Sequence, residues 1–79
     1  MLEVLAEQMH VIWANWMNYL FSKCVKNSDG SYTIPPGHVD RWKRQASTTY
    51  TNLSKTEKDS DRVIAEHIRK VLHKYLLGF

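Results

Sequence analysis

Lys58 and Arg62 stand four residues apart in a stretch that reads Y-T-N-L-S-K-T-E-K-D-S-D-R from Tyr50 to Arg62. On a helix that spacing puts both cations on one face, where Arg62 can grip a phosphate through two parallel bonds and Lys58 can add a point charge. The competing reading is a solvated face on which Arg62 pairs with Asp59 or Glu66. Glu57 and Asp61 are also four apart, a spacing compatible with paired carboxylates for acid–base work. Their structural reading is simpler: Glu57 closes the helix start, and Asp61 pairs across helices or orients an arginine. No enzyme is expected, because nucleophile–base pairs, metal sets and glycine-rich phosphate loops are missing from the sequence.

Glu7 and His10 form E-x-x-H, half of the ligand set of di-metal helical bundles, but no second such motif follows. A metal or other cofactor is therefore not expected. His10 is instead read as a hydrogen-bonding group, toward a buried Asp or Tyr or toward the edge of a ligand base. Trp13, Trp16, Trp42 and Tyr50 supply rings on which a base can stack, an interaction worth ~1–3 kcal/mol per base in nucleic-acid proteins. Trp13 lies on the main apolar line of its helix and is assigned to the core; Trp16 and Tyr50 are the ligand candidates. Arg41, Lys43 and Arg44 surround Trp42, as on a DNA-recognition helix. Asp40 interrupts that charge and helix–turn–helix spacing is absent, so only Arg44 is carried into an anion site.

These groups need elements to hold them. Leu2, Leu5, Met9, Ile12, Trp13, Trp16 and Leu20 recur at helical spacing, which predicts a first helix from residue 2 to about 26. A second apolar line, including Val4, Val11, Ala14, Met17 and Phe21, lies beside the first. That arc is wider than one face of a small monomer needs, and it predicts a further contact surface on another copy of the chain. Asp29-Gly30 marks a turn, and Ser31–Ile34 has strand character but is too short to make a sheet. Pro36 suits the first turn of a second helix running to about Ala46, and Ser47-Thr48-Thr49 ends it. Ser54 and Glu57 make a capping box that starts a third helix, which continues to about Leu77 with Gly78 as its stop. The expected fold is one all-α domain of three helices, with long first and last members.

Composition sets the remaining bounds. A chain of 79 residues is one domain, and small enough that an isolated core is marginal. The lone Cys24 excludes an internal disulfide; it is read as a small hydrophobe in a reducing compartment. No stretch approaches the roughly 20 apolar residues that span a bilayer, and the opening M-L-E-V-L-A-E is acidic where a secretory signal is basic. A cytoplasmic protein is expected. The formal net charge of +3 is mild, with acids interspersed among the bases, so nucleic acid is not the expected partner.

Tyr50 to Arg62 fits Y-x-x-L-S-x-x-E-K-x-x-D-R with Ala65 following, and Leu5 to Trp13 reads L-A-E-x-x-H-x-x-W. The two blocks together resemble the ryanodine-receptor repeat domain, found in calcium-release channels and as small stand-alone proteins of bacteria and their phages. Thr49 stands where receptor repeats have Pro, and I-P-P-G-H-V-D-R-W-K-R-Q resembles the stand-alone members. The resemblance implies a helical, non-enzymatic module that binds a nucleotide-type ligand. For a phage or bacterial member it implies a nucleotide immune signal, sequestered or sensed, as in anti-defence. Receptor repeats come in tandem and this chain has one copy, so a homodimer or higher homo-oligomer through the first helix is implied as well. The expected ligand set is Arg62, Lys58, Tyr50, Asp61, Trp16, His10 and Arg44. The competing classes are a protein–protein interaction or inhibitor module without small ligand, and a small DNA-binding regulator using the second helix.

Overall fold

The computed structural model describes residues 1–78. It is an all-α domain of three helices: α1 (Leu2–Lys23), α2 (Pro36–Ala46) and α3 (Lys55–Leu77). A two-residue antiparallel ladder, β1 (Val25–Lys26) with β2 (Tyr32–Thr33), links α1 to α2, and a 3₁₀ turn (Tyr50–Asn52) precedes α3.

Two sequence expectations are corrected at the first of these joints. The first helix stops at Lys23 rather than near residue 26, because Cys24 turns to an extended backbone (φ −86°, ψ 157°). The strand-like segment does pair, with Val25 opposite Thr33 and Lys26 opposite Tyr32. The turn between them makes so short a ladder possible. Asn27 donates its side-chain amide to Ser31 Oγ (3.0 Å) and Thr33 Oγ1 (2.9 Å), and Asp29 Oδ1 accepts from Ser31 N (2.9 Å). Gly30 sits at φ 89°, in the left-handed region that a glycine adopts without Cβ strain. The Ser31 bonds also hold the Asp29 carboxyl below its ordinary range, and the Phe21 and Tyr32 rings brace the ladder at 5.3 Å.

The other boundaries follow local chemistry. Pro36 takes the first helical position of α2, where its missing N–H costs nothing. Ser47 Oγ (3.0 Å) and Thr48 Oγ1 (2.6 Å) then both donate to the carbonyl of Arg44, satisfying an orphan acceptor at the helix end. At α3 the capping box is complete: Glu57 N donates to Ser54 Oγ, and Ser54 N to Glu57 Oε1, each at 3.2 Å. Gly78, at φ 76°, closes it by donating to the Lys74 carbonyl (2.8 Å).

α1 and α3 run antiparallel, with the Met1 amino group donating to Tyr75 Oη (2.8 Å) and Gln8 Oε1 meeting His67 Nε2 (3.0 Å). α2 lies across the end where α1 finishes and α3 begins. Trp42 packs there against Trp16 and Tyr19, at ring separations of 5.5 and 6.3 Å. Among the described residues no side chain is fully withdrawn from water. Trp13, assigned to the core from its place on the apolar line, is 58% exposed. The periodicity is real, and Leu5, Ile12 and Leu20 on that line are partly buried, but Leu2, Met9 and Trp13 stay exposed. No helix among the described residues is long and apolar enough to cross a membrane.

Candidate functional site

α2 and the 3₁₀ turn form an open cleft of about 440 Å³ against α1 and the first turns of α3. Trp16, Trp42 and Tyr50 give it aromatic walls, Gln45 and Thr48 give it hydrogen-bonding groups, and Asp61 places a carboxylate inside. Trp42 is held rather than free to swing: it meets Trp16 edge-on (73°), while His38 stacks on it at 5.1 Å and 21°. Tyr50 is positioned by the chain entering α3, because Leu53 N donates to the Tyr50 carbonyl (3.1 Å) just before the capping box.

Two cations gather at Tyr50. Lys58 Nζ stands 5.7 Å from the ring centroid, in cation–π range. The Arg62 guanidinium is held above its ordinary pKa first by Asp59 and then by the Tyr50 hydroxyl. Asp59 joins the set from the solvent side, accepting from Lys55 Nζ (2.7 Å) and Arg62 Nη1 (2.9 Å), which keeps its carboxyl below the usual range. A guanidinium carries five N–H donors, so the contact with Asp59 leaves Arg62 donors for an anion.

Of the seven residues expected to bind a ligand, Trp16, Tyr50 and Asp61 line the cleft, and Lys58 and Arg62 reach its rim through Tyr50. Arg44 does not join them. Its Nη2 donates to Glu57 Oε2 at 2.9 Å, tying α2 to α3 and depressing the Glu57 carboxyl, to which Ser54 adds a further bond. His10 is also elsewhere, stacked on Trp13 at 5.9 Å. Six residues along a helix amount to about 9 Å and a rotation of about 240°, so His10 and Trp16 cannot share a site on α1. Sequence reasoning missed Trp42, Gln45 and Thr48 as cleft residues. The signal was faint: Trp42 and Gln45 are three apart on α2, but only the fold of α2 onto α1 gives that face something to oppose.

The arrangement suits a flat, nitrogen-bearing ring with an anionic tail. The π faces can sandwich the ring, the Asp61 carboxylate can accept from its N–H groups, and Lys58 and Arg62 can meet the negative charge at the rim. Among the described residues no cluster of three or more metal-ligating side chains occurs. No protein-family model, curated protein or solved structure matches this chain.

Proposed function

We propose that the chain is a non-enzymatic binding module for a small nucleotide-type anion, seated in the cleft under α2. The observation that carries this reading is the gathering of Trp16, Trp42 and Tyr50 around one opening, with Asp61 inside and Lys58 and Arg62 at the Tyr50 edge. Trp16 and Tyr50 stack the base, Asp61 reads its N–H edge, and the two cations neutralise phosphate. The resemblance to the ryanodine-receptor repeat domain supports the same ligand class. It narrows that class to linear or cyclic nucleotide signals, held or sensed.

Calorimetric titration with a panel of linear and cyclic nucleotides tests the reading. Binding is expected for at least one member, weakened on Arg62→Ala, with Tyr50→Ala losing ~1–3 kcal/mol, the range for one stacked base. No heat with any nucleotide, or unchanged affinity in Arg62→Ala, defeats it. The exposed apolar side chains of α1 favour a second reading, a protein–protein interaction module without small ligand. A size measurement separates the two, since a monomer with that stripe in water favours the second.

A further inference from the structure

The accessible surface of the chain is 6421 Å², whereas a compact monomer of 9.3 kDa exposes about 5,000 Å². The excess is therefore about 1,400 Å² per chain, and its location is specific. The radius of gyration is 16.1 Å, against about 12 Å for a compact chain of this length. Stable domains bury their apolar faces between two layers. Away from α2, the pair α1–α3 is a single layer.

The uncovered face belongs to both helices. Leu2, Met9 and Trp13 recur on α1 and are 76%, 60% and 58% exposed; on α3 the matching line runs through Ile68 and Leu72, which are partly buried, to Leu76, which is 65% exposed. The seam between the helices is marked by Gln8–His67 and Met1–Tyr75. Each stripe lies about a third of a turn from that seam, in the same sense along its own chain. Because the helices are antiparallel, equal rotations from the seam bring both stripes to one side of the layer.

We infer that this face is the site of a second copy of the chain, which lays its own α1–α3 layer on it to close a two-fold symmetric four-helix core. The area favours that occupant. Removing the excess from both copies buries about 2,800 Å² in total, inside the range of obligate homodimers and well above a transient contact. A two-fold contact pairs one patch with itself, and the charge that flanks the α3 stripe, Arg69, is paired within its own helix with Glu66. Folding and pairing are then one event. The monomer lacks the second layer, so away from α2 its helices are held by the α1–α3 seam alone. The inference needs no ligand and stands whether or not the cleft binds a nucleotide.

Sedimentation equilibrium on the 79-residue chain from about 1 to 200 µM, with thermal unfolding at each concentration, tests it by mass action. The expected mass is twice the 9.3 kDa of one chain, with a midpoint that rises with concentration. In a mixture of isotope-labelled and unlabelled chains, the Trp13 ring is expected to show intermolecular NOEs to Leu72 or Leu76 methyls. Trp13→Glu is expected to abolish the dimer and most of the helical signal together, while Trp13→Leu keeps both. A folded monomer with a concentration-independent midpoint overturns the inference. So does a dimer without those NOEs, an assembly larger than two, or a Trp13→Glu chain that still pairs.

Discussion

The two ends of the α1–α3 pair are built from the same helices and meet different fates. At one end α2 crosses over, Trp42 packs on Trp16, and Arg44 reaches Glu57. At the other, Leu2, Trp13 and Leu76 are 76%, 58% and 65% exposed, with no third helix among the described residues over them. Trp13 and Trp16 are three residues apart on one helix, so helical propensity and apolar pattern treat them alike. What separates them is reach: a helix of 11 residues, about 16 Å long, lies across only one end of a pair more than 30 Å long. The lesson is that α2 is large enough to make a site but too short to make a core. The chain therefore has a cleft at one end and an unsatisfied face at the other.

The largest expected effect on this contrast is at the bare end, where Trp13→Glu is expected to abolish the proposed pairing and most of the helical signal. At the covered end, Trp42→Ala removes the ring that α2 sets against α1. A loss of about 2–3 kcal/mol is expected, below the 3–5 typical of a fully buried ring because this one is only partly buried. Urea unfolding at fixed chain concentration measures it, and a shift as small as that of a surface substitution would mean α2 does not stabilise this end. Ser54→Ala is smaller again, about 1 kcal/mol for the lost cap, and is expected to lower the urea midpoint without altering the proposed pairing.

The smallest effect is on acid stability. Arg44 first, then Ser54, hold the Glu57 carboxyl below its unfolded value of about 4.3. A depressed folded pKa stabilises the fold above that unfolded value and loses the contribution as pH falls through the folded one. Thermal midpoints are therefore expected to drop below about pH 4, with a shallower fall in Arg44→Gln; an identical acid limb in that variant would show that the α2–α3 tie carries none of it.

Much of the fold was legible in the residues. Pro36, the Ser54–Glu57 box and Gly78 each mark a helix boundary that the structure keeps to within a residue or so. The first helix ends three residues before its apolar pattern does, because the Asn27–Ser31 turn draws Val25 and Lys26 into a ladder. The site was legible in part. Tyr50, Lys58, Asp61 and Arg62 lie within one helix start and its approach, so spacing alone brings them near one another. Arg44 and His10 depended on where α2 and α1 sit, and neither position was encoded locally.

The amino-acid sequence by itself determined the helices, their caps and the cluster at the start of α3, because each rests on dihedral preferences and hydrogen bonds spanning a few residues. Only the tertiary structure decided that Trp16 walls a cleft while Trp13 meets solvent, that Arg44 is spent on Glu57, and that Trp42 belongs to the site. Those outcomes depend on which surfaces meet, and apolar burial is non-directional. A stripe of Leu, Met and Trp declares that it needs a cover, and the fold determines which part of it receives one.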